Sequence, residues 1–480
     1  MHTLILGGGP AGLTAGLMLS RNNHPVTILE KGKSVGGLAK TIEWNGFKVD
    51  FGGHRFFTKN EAVYNLVIEL LKDEIVQVKR TSRIYMDGKY YDYPVKPVQA
   101  LLNLGPLASV QIMLDYVRAH AEKEKKPAVE ESFEEWTVKK YGRKMYSIFF
   151  KDYTEKVWGI PCNELSSKWA AQRIKGLSLG NIVRNALIPK KKARKTSLIG
   201  QFLYPKYGYG RIWERMREEI VKDPSSTVEL NACVSKIHHE GSRVTQVELD
   251  NGKMRAADQF VSTIPVTELV KSMHPAAPKE VLEAASQLTF RDWIGVNLII
   301  KDRRTLSEDT WLYVHTHKVL FGRIQNWAHW SEDLVPGKDG SIMLEYFCYE
   351  TDNLWKKTDA ELIEFATHEL CDVLGLAKRK EVINGFVLRA RKTYPVYRLG
   401  FDVPLQKLKD YVKTFDNLQI IGRYGTFKYN NADHSIEMGL KAAENLLGKK
   451  HDVDQVNTEQ EYQEEKEEAS TDYEDVESVA

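Results

Sequence analysis

Four residues near the start of the chain have the spacing of a dinucleotide site. Gly7, Gly9 and Gly12 form a G-x-G-x-x-G pattern, and Glu30 follows the last glycine by eighteen positions. The first glycine permits a tight turn, the second lets a pyrophosphate approach the backbone, and the third allows a helix to pack closely on a strand. Because the Glu30 carboxylate can accept hydrogen bonds from a ribose diol, the pattern predicts dinucleotide binding.

Further glycines narrow the choice of cofactor. Gly36 and Gly37, followed by Leu38, form a second turn after the acid, and Gly53 lies in a third glycine loop that carries His54. In this second turn the chain resembles FAD enzymes of the glutathione-reductase and amine-oxidase type, whereas a nicotinamide dehydrogenase does not need it. FAD is therefore the predicted cofactor, and a nicotinamide dinucleotide as the only tightly held cofactor is the alternative.

A strand–turn–helix–strand unit must position these residues. An apolar run at residues 4–6 enters the glycines, helical periodicity covers residues 13–19, and a second apolar run ends at Glu30. This is the pattern of a βαβ unit. Short β segments resume near residue 227 and end at residues 260–263, which predicts a return to the cofactor domain. Val234 of this region is a predicted cofactor-binding residue.

A late strand and helix complete the predicted cofactor site. The apolar run 418–421 ends at Gly422 and Arg423, and helical periodicity covers residues 435–447. Because a helix N-terminus offers free N–H groups to phosphates, this arrangement is predicted to place Arg423 and a second helix N-terminus beside the flavin.

The order of the elements predicts an α/β fold with a Rossmann-like FAD-binding domain of the glutathione-reductase type, an inserted helical domain and an antiparallel β-sheet domain. The predicted boundaries are 1–78, 216–265 and 400–450 for the FAD-binding domain, 98–200 for the helical domain with a mobile substrate loop, and 79–97, 201–215 and 266–399 for the sheet and substrate domain. Residues 451–480 hold twelve Asp or Glu and are predicted to be a disordered acidic tail.

Two local signals make sharper predictions. Ser132 and Glu135 have the spacing of a capping box, which predicts that a helix follows, extending to Phe150. Asp87 and Gly88 lie between two β-type runs, which predicts a hairpin turn.

Composition limits the class of protein. With 480 residues, 42% of them hydrophobic and 28% charged, the chain is expected to be a soluble globular protein. Met1 lies almost directly on the first strand and no apolar run reaches membrane length, so neither a leader peptide nor a membrane span is expected. The four cysteines show no paired spacing. Reduced thiols and a cytoplasmic location are therefore predicted.

The charge that sums to a net +3 is unevenly distributed along the chain. The last thirty residues contain one Lys against their twelve acids, which leaves 67 basic and 53 acidic residues in the first 450. A basic body suits an anionic ligand, a nucleic acid or a membrane surface. The basic run at residues 190–195 is interpreted as a solvated loop, with phosphate contact as the alternative. His315 and His317 have no third ligand at sensible spacing, so no metal site is predicted.

Three motifs support a more specific resemblance. They are FGGHRFF at residues 51–57, YTEKVWG at 153–159, and GRYGTFKY at 422–429 followed by NADHS at 431–435. Together, and in this order, they resemble the UDP-galactopyranose mutases, the eukaryotic-type members more than the short bacterial ones. The resemblance runs over about residues 3–447.

This resemblance implies a three-domain FAD protein that interconverts the pyranose and furanose forms of a nucleotide sugar with no net redox change, as in galactofuranose supply for cell-surface polysaccharides. The reduced flavin, FADH⁻, acts through N5 as the nucleophile on the anomeric carbon. The implied chemistry therefore needs an external reductant such as NADPH.

The resemblance also assigns the residues around the substrate. Arg173 and Arg323 correspond to the pair that clamps the diphosphate, a role that suits planar guanidinium groups. Aromatic residues are assigned to the diphosphate, the sugar or the nucleobase: Tyr313, Tyr394, Tyr429, Trp158, Tyr93 and Phe149. His54 corresponds to the histidine that responds to the flavin redox state, and Asn431 and Ser435 belong with Gly422 and Arg423 to the late cofactor motif.

Two departures leave the substrate open. Val95 and Lys96 stand where a glutamine near the uracil is expected, and the loop between Tyr429 and Asp433 is shorter than in the eukaryotic-type pattern. UDP, dTDP or another nucleotide, carrying galactose, a deoxy sugar or an N-acetyl sugar, all remain open. So does the oligomeric state.

Two other functions are weighed against the mutase. The first is an FAD-dependent oxidoreductase of the amine oxidase, protoporphyrinogen oxidase or desaturase type, which shares the glycine motifs but does not need two clamp arginines. The second is a non-enzymatic flavin or nucleic-acid binder. The basic body permits it, but no recognisable nucleic-acid module is present, so nucleic acid is not a predicted partner.

Overall fold

A computed structural model of the protein describes residues 1–93, 95, 97–121, 130–168 and 200–458. Arg173, Lys96, the basic run at 190–195 and residues 459–480 of the acidic tail lie outside these residues. Within them, no helix combines the length and the apolar character that crossing a membrane requires. The predicted α/β class with a parallel cofactor-type sheet and further sheets is confirmed.

The strands of the described residues, in chain order, are β1 Thr3–Leu6, β2 Val26–Glu30, β3 Thr41–Trp44, β4 Phe47–Asp50, β5 Ile75–Lys79, β6 Ser82–Met86, β7 Lys89–Asp92, β8 Gln201–Pro205, β9 Thr227–Leu230, β10 Val234–Glu240, β11 Arg243–Leu249, β12 Met254–Ala256, β13 Gln259–Ser262, β14 Met273–His274, β15 Phe290–Ile300, β16 Trp311–Val314, β17 Arg323–Asn326, β18 Gly340–Cys348, β19 Val382–Pro395 and β20 Leu418–Ile420.

The α-helices are Pro10–Arg21, Glu61–Leu71, Pro97–Leu104, Pro106–Ala121, Phe133–Tyr141, Arg143–Met145, Lys151–Trp158, Arg211–Ile220, Val266–Lys271, Lys279–Gln287, Asn353–Lys356, Asp359–Thr367, Asp402–Val412, Gly422–Gly425 and Ala432–Leu446. Wider π-helical turns follow at Tyr146–Phe150 and His368–Val373. Short 3₁₀ turns occur at Gly37–Ala39, Arg303–Thr305, Trp327–His329, Glu332–Leu334, Arg379–Glu381 and Val453–Gln455.

A five-stranded parallel sheet carries the predicted cofactor site. Its order is β20-β13-β1-β2-β9, and every neighbouring pair is parallel. Its central strand is buried along its whole length, which explains its continuous apolar sequence. The helices Pro10–Arg21 and Ala432–Leu446 approach so closely that a Cβ on Gly439 would lie 2.5 Å from the Ala11 carbonyl oxygen.

A seven-stranded sheet forms the second large layer. Its order is β19-β15-β18-β17-β16-β6-β7, and it is antiparallel except where β16 runs parallel to β6. The sheet predicted to be antiparallel is therefore mixed at one position. Strands β15 and β18 are buried throughout, and Leu362 and Ala366 of the helix Asp359–Thr367 pack in the same core.

Three smaller sheets contain the other described strands. Strands β12, β11, β10 and β14 form a four-stranded sheet, and β3–β4 and β5–β8 form two-stranded ribbons. The second ribbon joins residues that lie more than a hundred positions apart in sequence, since Ile75 pairs with Pro205.

Local signals were reliable at helix starts and at a turn, but less so at a helix end. The capping box is confirmed, because the Ser132 hydroxyl accepts from the Glu135 N–H and the Glu135 carboxylate accepts from the Ser132 N–H. The hairpin turn is confirmed by positive φ angles of 49° at Asp87 and 82° at Gly88. The predicted continuous helix to Phe150 is wrong, since Gly142 adopts φ 81° and ends the first helix.

Candidate functional site

The first glycine turn forms a tight platform before the helix Pro10–Arg21. Gly7 adopts φ +114°, and a Cβ there would lie 2.1 Å from Thr263 Oγ1. A Cβ on Gly12 would lie 2.1 Å from the Gly7 carbonyl oxygen, so any side chain at Gly12 would push the turn away from the helix. Gly9 caps the helix without a side-chain hydrogen bond, which leaves N–H groups available to an anion.

The second glycine turn lies beside the first. The Gly36 N–H donates to the Gly8 carbonyl at 2.8 Å. A Cβ on Gly9 would meet only the Gly37 Cα, at 4.0 Å, so space is open in front of Gly9. Leu38 packs against the main core. The two turns together form a cradle of the shape that a pyrophosphate needs.

Glu30 is fixed by the backbone on both sides. Its Oε2 accepts from the Gly8 N–H at 2.9 Å and its Oε1 from the Gly32 N–H at 2.7 Å. Each carboxylate oxygen can accept more than one hydrogen bond, so the group keeps capacity for a ribose diol. The Glu30 carbonyl accepts from the Ala232 N–H at 2.9 Å, which brings the start of β10 at Val234 to the same end of the sheet.

The late motif closes the cradle from the other side. Gly422 adopts φ +78°, and a Cβ there would lie 3.0 Å from the Ala11 Cβ. Asn431 precedes the helix Ala432–Leu446 and its N–H donates to the His434 Nδ1 at 3.1 Å. The Ser435 hydroxyl donates to the Asn431 carbonyl at 3.1 Å. The structure therefore brings the late motif against the first helix.

Arg423 is held by carbonyls and aromatic faces. Its guanidinium donates to the Thr393 carbonyl at 2.6 and 3.0 Å and to the Asn430 carbonyl at 3.2 Å. The same group lies 4.2 Å from the ring centroid of Tyr429 and 5.0 Å from that of Tyr394. Arg423 therefore connects the late motif to the aromatic residues of the substrate prediction.

His54 lies on the loop between β4 and the helix Glu61–Leu71. A Cβ on Gly53 would come within 2.8 Å of Gln325 Oε1, so the loop presses on the seven-stranded sheet. The His54 ring stacks on Tyr209 at 5.3 Å. Burial and the positive charges of Arg423 and Arg323 lower the pKa of His54 to about 4. The imidazole is therefore neutral at pH 7, and its buried Nδ1 has no hydrogen-bond partner among the described residues.

Asp50 contacts Tyr209, on which the His54 ring stacks, and its burial predicts a pH dependence of stability. Its carboxyl accepts from the Tyr204 hydroxyl at 2.6 Å, the Thr41 hydroxyl at 2.6 Å and the Tyr209 N–H at 3.2 Å. Burial raises the pKa of Asp50 from 3.8 to about 7 despite these hydrogen bonds.

Because the native state keeps the Asp50 proton where the unfolded chain loses it, the Asp50 contribution to stability is present below pH 3.8 and falls as the pH rises to about 7. At about 1.4 kcal/mol per pKa unit, this fall amounts to about 4 kcal/mol. In Asp50→Asn this part of the pH dependence should disappear. Chemical denaturation of the wild type and of Asp50→Asn at the two ends of this pH range measures the free energy of unfolding. The same change with pH in both proteins would contradict the prediction.

Arg323 and Glu345 form a buried ion pair across β17 and β18. Arg323 Nη2 lies 2.9 Å from Glu345 Oε2, and Glu345 is fully buried. Trp293 Nε1 and Gln325 Nε2 also donate to the Glu345 carboxylate, at 2.9 and 2.6 Å. Burial opposes the charge on Arg323, but the carboxylate and nearby tyrosines raise its pKa well above the ordinary value.

Glu345 and Gln325 were missed by sequence reasoning. The signal that could have found Glu345 is a single acid inside the otherwise apolar run of β18, SIMLEYFC, because an isolated charge in a buried strand needs a partner. The partner could not be read from the sequence, since Arg323 pairs with Glu345 only through the register of the two strands.

Aromatic side chains pack near the Arg323 guanidinium. Arg323 Nη2 donates to the Tyr394 hydroxyl at 2.8 Å. Tyr394 stacks on Tyr429 with ring centroids 5.5 Å apart, and Trp158 meets the same two rings edge-on at 6.2 and 5.8 Å. Burial raises the pKa of Tyr394 to about 12, so its hydroxyl keeps its proton. Arg323 Nε is buried without a hydrogen-bond partner among the described residues.

The residues predicted to meet the nucleobase are only partly brought together. Tyr93 is 39% exposed and its ring lies 4.7 Å from that of Tyr313. Phe149, in contrast, is 6% exposed and packs edge-on against Tyr91 at 5.7 Å in the core of the helical region. Arg173, the predicted second clamp residue, lies outside the described residues.

The site offers a largely enclosed cation, protonated hydroxyls and aromatic faces beside a glycine cradle. Such a set can bind an anionic group while excluding water. Across the described residues, no group of three or more His, Cys, Asp or Glu side chains is placed to hold a metal ion.

The parallel sheet and the glycine cradle define a Rossmann-like dinucleotide-binding class of protein. Within this class the family is shown by sequence. The family model described as flavin containing amine oxidoreductase matches residues 10–449, and the chain belongs to this family.

Several relatives have a more specific name. The chain is 27% identical over 171 residues to a "Probable UDP-galactopyranose mutase" of Klebsiella pneumoniae, covering 34% of this chain and 42% of the relative. It is 27% identical over 169 residues to the dTDP-fucopyranose mutase of Escherichia coli, covering 34% of this chain and 43% of the relative. The matches therefore span about two fifths of the length of these mutases. A coproporphyrinogen III oxidase of Bacillus subtilis is 20% identical over 448 residues, or 85% of this chain and 90% of the relative.

Solved structures show the same fold. Reduced UDP-galactopyranose mutase superimposes with a TM-score of 0.80 at 22% identity, over 95% of this chain and 97% of that chain. Putrescine oxidase superimposes with a TM-score of 0.62 at 16% identity, over 94% and 100% of the respective chains.

The residues of the cradle fit the flavin that the family implies. Open space in front of Gly9, a helix N-terminus without a side-chain cap, and the unpartnered Nδ1 of His54 are all features that a bound dinucleotide would satisfy. The first glycine turn would hold the pyrophosphate and Glu30 the ribose. The second turn and the late motif would flank the cofactor.

Proposed function

We propose that the protein is a flavin-dependent mutase that interconverts the pyranose and furanose forms of a nucleotide sugar, UDP-galactose or a close relative. The observation that carries the proposal is Arg323, whose side chain is only 20% exposed and is held by Glu345 and by the Tyr394 hydroxyl among aromatic rings. An oxidase of an apolar substrate has no use for a buried cation at this place. The two mutases among the relatives support the same choice.

Arg323 is proposed to bind the diphosphate as it leaves the anomeric carbon. Its Nε is free of hydrogen bonds to the described residues, and a guanidinium keeps its charge at any accessible pH. A fixed cation in a dry pocket stabilises developing negative charge more strongly than water does. Glu345 keeps the guanidinium in one orientation before the substrate arrives.

Tyr394 adds a proton donor to this cation. Its hydroxyl oxygen accepts from Arg323 Nη2 at 2.8 Å, which leaves the O–H to point elsewhere. Because burial keeps that proton on the oxygen, the O–H can donate to a phosphate oxygen. Trp158 and Tyr429 complete the pocket with apolar faces on which a sugar ring can pack.

The flavin, once bound and reduced, supplies an electron-rich ring nitrogen as the nucleophile. His54 is neutral beside the two arginines, so it can accept or donate a hydrogen bond without adding a third positive charge. On the resemblance alone, Arg173 is proposed as the second diphosphate clamp, Tyr313 as a contact of the diphosphate or the sugar, and Tyr93 as a nucleobase contact.

An oxidoreductase is the second candidate function. The relative that matches the largest share of this chain among those described above, by sequence, is a coproporphyrinogen III oxidase. Such an enzyme would use the same cradle in an oxygen-consuming cycle.

The deciding experiment is incubation of the reduced protein with UDP-galactofuranose and a panel of related nucleotide sugars, without oxygen. We expect the ring isomer to form, as measured by chromatography, because the site binds a diphosphate and holds a reduced flavin. The oxidised protein is the control and should form none. A protein that retains FAD, converts no nucleotide sugar and consumes oxygen with a porphyrinogen or an amine would favour the oxidoreductase instead.

A further inference from the structure

The ammonium group of Lys156 lies inside a ring of backbone carbonyls. Its Nζ donates to the carbonyls of Thr316 at 2.8 Å, Val319 at 2.9 Å, Phe321 at 3.2 Å and Val314 at 3.4 Å. An ammonium has three hydrogens, so the four carbonyls share them. All four belong to residues 314–321, which run from the last residue of β16 toward β17.

A buried acid, Glu369, also holds this segment. Glu369 Oε1 accepts from the Leu320 N–H at 2.6 Å, and its Oε2 accepts from the Tyr346 hydroxyl at 2.8 Å. Glu369 is 4% exposed. The segment 314–321 is therefore fixed by a half-buried cation through its carbonyls and by a buried carboxylate through an N–H.

Both ends of the segment carry proposed substrate residues. Tyr313 lies directly before it in β16, and Arg323 begins β17 after it. Lys156 itself lies two positions before Trp158, on the helix Lys151–Trp158. A Cβ on Gly322 would lie 2.9 Å from the Phe347 ring, so the chain next to Arg323 has little space in which to shift.

We propose that Lys156 is a positioning residue that fixes the distance between the indole of Trp158 and the guanidinium of Arg323. Its hydrogen bonds connect the helix that carries Trp158 to the segment that leads to Arg323. In this proposal Lys156 contacts neither the cofactor nor the substrate. The inference rests on the proposed function, because Arg323 and Trp158 are assigned to the substrate there. Misplacing a clamp by about 1 Å can reduce turnover by about 10²-fold.

The test uses two variants with FAD bound. Lys156→Met keeps the length of the side chain but removes the charge, and it should lower kcat for ring interconversion about 30-fold while UDP binds about 10-fold more weakly. Lys156→Ala leaves an open ring of carbonyls, and propylammonium should restore most of its activity. Lys279→Met is the matched control, since the Lys279 side chain is 89% exposed, and it should behave as the wild type.

Amide hydrogen exchange of residues 314–323 gives a readout that needs no turnover. Exchange should accelerate in Lys156→Met and slow again in Lys156→Ala with propylammonium. Unchanged exchange and unchanged UDP affinity in Lys156→Met would overturn the proposal. Loss of FAD from both variants, with and without the amine, would also overturn it, because Lys156 would then be required for folding. A wild type that converts no nucleotide sugar would overturn the proposed function, while the exchange measurement still decides the role of Lys156.

Discussion

Replacing Arg323 by alanine is expected to lower kcat/KM for ring interconversion by about 10³-fold while FAD stays bound. Removing one preorganised group that stabilises developing negative charge costs about 10²- to 10³-fold in kcat, and the lost ground-state contact to the diphosphate adds to this. The cradle residues lie on other elements, so the flavin should remain. Anaerobic kinetics and the flavin content of the purified variant measure the two effects. Full activity would exclude the proposed role.

The same substitution should also destabilise the protein. It leaves the Glu345 carboxylate buried without its cation, and breaking a buried ion pair in this way costs about 3–5 kcal/mol. A double variant, Arg323→Met with Glu345→Gln, removes both charges and should recover much of the stability but none of the activity. This separates the catalytic effect from the structural one. Arg304→Ala is the control, because the Arg304 side chain is 83% exposed.

Replacing Gly12 by alanine is expected to yield a protein purified without FAD. The new Cβ would lie 2.1 Å from the Gly7 carbonyl oxygen and 3.1 Å from Ile5 Cγ2. The glycine turn must therefore move away from the helix, which removes the close approach that a pyrophosphate needs. We expect FAD affinity to fall at least about 100-fold and stability to fall by about 1–3 kcal/mol, the usual cost of overpacking.

Gly200→Ala is a matched control for this prediction. A Cβ at Gly200 would meet no atom within 4 Å, and neither glycine has a positive φ. The flavin absorbance of the purified proteins gives the comparison directly. Equal FAD content in Gly12→Ala and Gly200→Ala would show that the turn tolerates a side chain and that the cofactor is held elsewhere.

The cofactor cradle could be predicted from the sequence because its determinants are local. The first turn, its helix and Glu30 lie within thirty residues, and each glycine has a steric reason that needs no knowledge of the rest of the fold. The capping box at Ser132 and the turn at Asp87 follow the same logic. Signals of this kind depend on neighbours within a few positions along the chain.

The rest of the site depends on contacts between segments that are distant in sequence. The partner of Arg323 is set by the register of β17 on β18, and the ring around Lys156 is set by a segment more than 150 positions away. The helix break at Gly142 was missed because helical periodicity continues past it, while the glycine conformation is decided by packing. A Cβ there would lie 3.0 Å from the backbone of Asp115.

The strand order of the parallel sheet has a consequence for the synthesis of the protein. β20 lies at one edge of that sheet, next to β13, and the late motif at 422–435 closes the cradle against a helix that begins at Pro10. Almost the whole chain must therefore emerge from the ribosome before the late motif can pack over the first glycine turn. Nascent or truncated chains that stop before residue 418 would carry the glycine fingerprint yet fail to retain flavin. Flavin retention is therefore expected only once the late motif has been synthesised.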